Sequence, residues 1–297
     1  MSIIKSYAVG NGDMYYIRHS SDNFTIIDCS LAAEREGGIL AELQAQSRDK
    51  RISRFISTHP DQDHIRGLVA LDDTLGLLNF YCVANATTKS TVTADFERYC
   101  ALRDDTGKAF HIYRDCSRNW MNRSTEERGA AGINVLWPIL GDADHESALA
   151  DAAAGLKPNN ISCIVKYSLN DGATMLWMGD LETDFMEKLE EKMTLPKVDV
   201  LFAPHHGRVS GKVPKEWLGQ LDPGLIIIGE APSAYLDYYS GYNIITQNSA
   251  GDLLLECVTG KVHVYAGDHT YAATGLEDEG LDHSHGLYYV GTLDCET

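Results

Sequence analysis

Two histidines and two aspartates, His59, Asp61, Asp63 and His64, fall within the six residues His-Pro-Asp-Gln-Asp-His. Carboxylates and imidazoles packed that closely are either left to water or share a cation, because both are ordinary ligands of divalent metals. Alone, the run also fits a solvated loop with a helix-capping aspartate. Two other stretches favour the metal. Asp180 follows Gly179 in Trp-Met-Gly-Asp-Leu-Glu, and His205 and His206 stand side by side in Leu-Phe-Ala-Pro-His-His-Gly. Each stretch directly follows a short apolar run of strand character, so all three are able to reach one edge of a sheet sandwich.

The elements that would carry them alternate along the chain. Residues 3–8, 14–18 and 24–28 read as strands, with Gly10-Asn-Gly-Asp13 as the first hairpin turn and Asp13 as a turn residue. A helix is expected over 32–49, a buried strand over 54–57 running into His59, and a helix from Ile65. Further strands are expected at 79–84 and from 133, 162, 173, 198 and 224, with helices near 92–103, 183–193 and 214–221. A last hairpin turns at Thr259-Gly260. Strands dominate both ends and helices separate them. The expected class is α/β, one layered domain over 1–297 with mixed sheets and a polar insertion at about 85–132.

Composition narrows the function. The 297 residues include 25 Lys and Arg against 43 Asp and Glu, a formal charge of −18 that disfavours polyanions through the overall field. Residues 85–130 are a local exception, with eight Lys and Arg against seven acids. These are Lys89, Arg98, Arg103, Lys108, Arg114, Arg118, Arg123 and Arg128, and the arginines would contact phosphate if this segment folds over the metal site; an ordinary polar insertion is the alternative. The C-terminal stretch from Gly267 holds seven acids, no Lys or Arg, and His269, His283 and His285, and reads as an acidic solvated surface. Seven scattered cysteines, without a Cys-x-x-Cys pair, indicate neither a disulfide framework nor a zinc knuckle; Cys29 and Cys163 read as packing residues. No apolar run is long enough for a signal peptide or a membrane span, so a soluble cytoplasmic protein is expected.

Six motifs in order now bear on identity: Val-Gly-Asn-Gly-Asp13, Ile-Ile-Asp28-Cys, the His59–His64 run, Asn-Asn160-Ile-Ser, Gly-Asp180-Leu-Glu and His205-His206-Gly-Arg. Together they resemble the metallo-β-lactamase fold superfamily and, within it, the hydrolase domain of ComEC-type competence proteins. The resemblance implies an αββα sandwich of two mixed sheets flanked by helices, binding one or two divalent ions, zinc or manganese. His59 and Asp61 would hold one ion, Asp63, His64 and His206 the other, and Asp180 would bridge them. Asp28 would tie down the metal loop. Asp61 stands where the wider superfamily has a second histidine, and Asn-Asn-Ile-Ser stands where a third would be expected. Oxygen-rich ligands of this kind favour manganese relative to zinc.

The implied chemistry is hydrolysis by metal-activated water, with catalytic roles for Asp63, for His205 as donor to the substrate oxygen or leaving group, and for Asn160 as an orienting amide. A phosphodiester substrate, nucleic acid or nucleotide, is the first expectation. Hydrolysis of a small carbonyl substrate such as a lactone or amide is the alternative within the fold. A third reading is a partner-regulated subunit or defence component with a vestigial site, which predicts a missing ligand; the sequence shows none missing from the ComEC-like pattern.

Overall fold

Ile26 and Ile27, Phe55 and Ile56, Leu176 and Trp177, and Leu201 and Phe202 are neighbours in sequence, and all are buried. Successive strand side chains point to opposite faces, so such strands need cover on both sides. A computed structural model, which describes residues 1–229 and 238–295, supplies that cover as four layers.

Strands β1 (Ser2–Ser6), β2 (Tyr15–Arg18), β3 (Asn23–Ile27), β4 (Ile52–Ile56), β5 (Phe80–Cys82) and β6 (Ala109–His111) lie side by side in that order. The second sheet begins with β7 (Ile133–Trp137), β8 (Ile164–Ser168) and β9 (Thr174–Trp177) and continues through β10 (Val200–Phe202), β11 (Leu225–Ile228) and β12 (Ile244–Thr246). The chain then returns to the first sheet, where β13 (Leu253–Val258), β14 (Lys261–Ala266) and β15 (Tyr288–Asp294) extend it beyond β1. Both sheets are mixed. Strands β3 to β6 and β9 to β12 run parallel, and the remaining pairs are antiparallel.

Ile27, Ile56, Trp177 and Phe202 meet in the core between the sheets. Ile26 and Phe55 face the other way, under helices α1 (Glu36–Ser47) and α3 (Leu68–Leu75), with the four-residue α2 (Gln62–Ile65) before the latter, and under α4 (Ala94–Asp104). Leu176 and Leu201 lie under α5 (Ala143–Ala153), α6 (Thr183–Leu189) and α7 (Lys215–Leu221). This is the αββα metallo-β-lactamase arrangement expected from the motifs.

Among the described residues β6, α5, β12, β15 and the four-residue helix Gln247–Ala250 have no counterpart in the sequence reading. The strands β6 and β12 are three residues each, too short to show a period. Helix α5 is mostly alanine and acid, but Asp142 caps it, accepting from the Asp144 and His145 amides at 3.0 and 3.1 Å. The segment read as a polar insertion supplies α4 and β6, and Phe96, Tyr99 and Leu102 of α4 are buried against the first sheet. Five of its six arginines are engaged there. Arg98 pairs with Asp72 and Asp73, Arg103 with Asp104, Arg114 with Asp115 and Arg128 with Asp22 and Glu127, while Arg118 stacks on Phe110 and Tyr81.

The C-terminal stretch read as solvated surface holds the edge strand β15, whose apolar residues Val290 and Leu293 are spread among glycine, threonine and tyrosine. Its acids meet a cation: Lys261 bonds Glu279 and lies 3.7 Å from Asp294. His283 and His285 pack on Tyr288 and Tyr265, and Glu296 lies outside the described residues. All seven cysteines are free thiols. Among the described residues no helix is long and apolar enough to cross a membrane.

Phe202 joins the sheets, with its ring stacked 4.6 Å from Trp177 and edge-on to Tyr15 of the first sheet at 5.0 Å. Phe202→Ala should cost about 3–5 kcal/mol in urea unfolding; a loss under about 1 kcal/mol would contradict this packing.

Candidate metal centre

Four strands deliver the site from their carboxyl ends. Asp28 follows β3, the His59–His64 loop follows β4, Asp180 follows β9, and His205 and His206 follow β10. Within each sheet these strands run parallel, so their ends lie on one side.

Asp28 is fully buried and takes a left-handed backbone conformation, φ 55°. Its carboxylate accepts from the Thr58 amide at 2.7 Å, the Thr58 hydroxyl at 2.6 Å and His64 Nδ1 at 2.8 Å. Since the Thr58 hydroxyl proton is committed to Asp28, the Thr58 oxygen accepts from His59 Nδ1, 3.2 Å away. One carboxylate thus sets two histidines with Nδ1 protonated and Nε2 free, the arrangement in which imidazoles bind metal.

Asp13 does the same for His206. Rather than serving as a plain turn residue, it is buried, accepts from the Tyr15 hydroxyl at 2.8 Å and takes His206 Nδ1 at 3.0 Å. Its amide donates to the Asp63 carbonyl at 3.3 Å, and Asn11 donates to Asp63 Oδ2 at 3.3 Å. A Cβ at Gly12 would lie 2.4 Å from the Asp63 carbonyl oxygen, so only glycine lets this turn press on the loop.

Asp180 stands at the centre. Its Oδ1 is 3.0 Å from His64 Nε2, and its Oδ2 is 3.8, 3.6 and 3.6 Å from the Nε2 atoms of His59, His205 and His206. Asp61 Oδ2 is 3.7 Å from His59 Nε2, and Asp63 Oδ2 is 3.7 Å from His206 Nε2. All six residues expected as ligands therefore meet at one place, with His205 beside them.

Nε2 of His59, His64 and His206 and Oδ1 of Asp180 are buried and make no well-aligned hydrogen bond, although His64 Nε2 and Asp180 Oδ1 face each other at 3.0 Å. Buried polar atoms are nearly always paired, so four orphans converging on one point fit a cation that would satisfy them. Asp13 also lies within 4.8 Å of the ligand atoms of His64, Asp180 and His206. Its Oδ1 is already engaged with His206 Nδ1, which makes it the support of a ligand.

Backbone strain holds the last two histidines. His205 and His206 both adopt left-handed conformations, φ 51° and 55°, at a cost of about 1–2 kcal/mol each. The His205 amide donates to the Gly179 carbonyl at 3.0 Å, and Gly179 itself has no room for a Cβ, which would meet Thr58 and Ser162 at 2.8 Å. Asn160 stands apart from these groups: its side chain donates to the Glu182 carboxylate at 3.1 Å and accepts from the Glu182 amide at 3.0 Å, clamping two turns together. From the basic segment, Lys89 reaches the cluster and bonds Asp61 Oδ1. Composition flagged that segment, but no motif singled out Lys89.

The charges interlock. Burial opposes ionisation throughout, yet the Asp180 and Asp28 carboxylates raise the His64 pKa well above its usual value, and Asp13 and Asp180 raise that of His206 to about 10. Against the same burial, the imidazoliums of His64 and His206 hold Asp180 well below the usual carboxylate range. Burial opposes the lowering at Asp61 as well, and His59 and Lys89 overcome it. The positive charge in the cluster thus sits on the imidazoles and Lys89, and the carboxylates stay ionised.

Residues 7–104, which contain Asp13, Asp28 and the His59–His64 loop, match the family described as the metallo-beta-lactamase superfamily. No curated protein matches the chain significantly. Among solved structures, it is similar to a diphosphatase of the PhnP family at 12% identity and TM-score 0.43, covering 86% of this chain and 97% of that one. It is also similar to CmlA, a diiron β-hydroxylase from Streptomyces venezuelae, at 15% identity and TM-score 0.43, covering 77% of this chain and 44% of that one. A third is the subclass B3 metallo-β-lactamase BJP-1 of Bradyrhizobium japonicum, at 14% identity and TM-score 0.34, covering 66% and 70%.

A cation entering this cluster must displace the protons on His64 and His206. The surrounding carboxylates raise the pKa of both, that of His206 to about 10, so protons compete with a cation and affinity must fall as pH falls. Titration with Mn²⁺ from pH 8 to pH 6 should show the dissociation constant rising about tenfold per pH unit for each proton released. A constant independent of pH would contradict it.

Proposed function

We propose that this chain is a divalent-metal-dependent phosphodiesterase, with cleavage of nucleic acid or a nucleotide as its specific form. The observation that carries the reading is the meeting of the unpartnered Nε2 atoms of His59, His64 and His206 around Asp180, with Asp61 and Asp63 facing them. In this reading Asp63, His64, His206 and Asp180 hold one cation. His59, Asp61 and Asp180 belong to the other half of the site. A divalent cation held there supplies Lewis acidity toward a phosphoryl oxygen and lowers the pKa of water.

The chain's own groups do the rest. Asp28, through Thr58 and His64, and Asp13, through His206, keep each Nδ1 protonated and each Nε2 available. Three carboxylates among the ligands make the donor set hard, which suits manganese or magnesium and oxyanion chemistry better than thiolate-rich or histidine-only sets. Lys89 sits at the partly open rim, on the half-exposed Asp61, and adds a positive charge where a phosphate would approach. The six-motif resemblance to ComEC-type hydrolase domains supports phosphorus over carbonyl. Asn160, with both amide atoms spent on Glu182, serves to brace the Asp180 turn in this reading.

The test compares bis(p-nitrophenyl) phosphate, single-stranded and double-stranded DNA and RNA, and a generic lactone, each with Mn²⁺. Phosphodiester cleavage should be abolished by EDTA and fall at least about a hundredfold in an Asp63→Ala/His64→Ala variant. Preferential hydrolysis of the lactone would assign the site to carbonyl chemistry instead, and cleavage that survives in the folded variant would remove the metal cluster from the reaction.

A further inference from the structure

The two halves of the cluster are unequally furnished. In the assignment above, Asp63, His64, His206 and Asp180 would give one cation two imidazoles and two carboxylates. For the other, His59 has only Asp61, at 3.7 Å, and the shared Asp180, at 3.8 Å. That is three donors, one of them shared and one, Asp61, also bonded to Lys89, where a site closed by protein alone uses four. Where a third histidine was expected, the Asn-Asn-Ile-Ser turn offers none: Asn160 is bound to Glu182, and Ser162 Oγ accepts the Asp180 amide at 3.0 Å.

His205 stands at the same carboxylate oxygen as His59: their Nε2 atoms lie 3.6 and 3.8 Å from Asp180 Oδ2. All four histidines of the cluster share one pattern, with Nδ1 tethered and Nε2 directed at Asp180. Asp28 tethers His64, Thr58 tethers His59, Asp13 tethers His206, and Ser210 Oγ lies 2.9 Å from Nδ1 of His205. Its Nε2 lies as close to Asp180 Oδ2 as that of His206, 3.6 Å, and closer than that of His59, 3.8 Å. The surroundings are shaped to keep it there. A Cβ at Gly211 would fall 2.4 Å from the His205 Cβ, so glycine at 211 lets the following turn close over the ring.

We propose that His205 is a metal ligand that completes the His59–Asp61 half of the centre, rather than a free proton donor to substrate. The inference rests on reading the cluster as a metal centre, so its test counts metal and does not use turnover. His205→Asn is the variant of choice, because asparagine tolerates the left-handed backbone at 205 and is too short to reach the site.

After equilibrium dialysis against Mn²⁺ and analysis by mass spectrometry of the metal content, the wild type should carry two ions per chain. His205→Asn and His59→Ala should each carry one, and the double variant also one, since both residues serve the same ion. Ser210→Ala, which keeps every ligand, should retain two with the weaker affinity loosened about tenfold. A His205→Asn protein that keeps two ions at wild-type affinity overturns the proposal while leaving the metal centre standing, as does a wild type that carries a single ion. A wild type that binds none overturns both.

Discussion

One buried carboxylate orders the site. Asp28 has no solvent, and its three hydrogen bonds go to the loop that carries four of the six expected ligands. Because a carboxylate can only accept, every group facing it must donate, and that fixes the proton on His64 directly and on His59 through the Thr58 hydroxyl. The free nitrogens of both rings are thereby turned inward without any cation to pull them. Strand geometry makes this possible: β3 and β4 pair in parallel, so the residue ending one strand lies beside the loop leaving the other, and the Asp28 amide closes the join on the Ile56 carbonyl at 2.9 Å.

The second sheet meets this arrangement with strain and close contact. His205 and His206 are held in left-handed conformations, and Gly12, Gly179 and Gly211 sit where a Cβ would strike the opposing loop. Such positions persist only when the surroundings over-determine them, and here the surroundings are the tethers on each histidine and the aromatic contact of Tyr15 with Trp177 and Phe202 between the sheets. The result is a cluster whose carboxylates repel one another unless a positive charge joins them. Protons on the imidazoles fill that need in the metal-free chain, and Lys89 does so at Asp61.

Much of this was legible in the sequence, for identifiable reasons. Ligands on loops that follow buried strands announce themselves, since a hydrophobic run ending in His-Pro-Asp or Gly-Asp is short and local, and all six expected ligands converge. The αββα layering followed from the same runs. What the sequence concealed depends on long-range pairing. Asp13 looked like a turn residue because its partner, His206, lies 193 positions away. Lys89 was one of eight cations in a segment where five of the six arginines turn instead to nearby acids and aromatic rings. Asn160 carries a motif's weight in sequence but spends it on Glu182. The edge strand β15 escaped because its apolar residues, Val290 and Leu293, do not alternate with polar ones.

The central claim, that Asp28 preorganises a metal centre, is tested most directly by titrating Asp28→Asn with Mn²⁺ beside the wild type, both checked for folding. Every ligand remains in the variant, but its amide can present a donor to His64 where only an acceptor belongs. The account predicts the same number of ions bound about 10–100-fold more weakly. An unchanged affinity would contradict it, because the imidazoles would then be set by something other than this carboxylate.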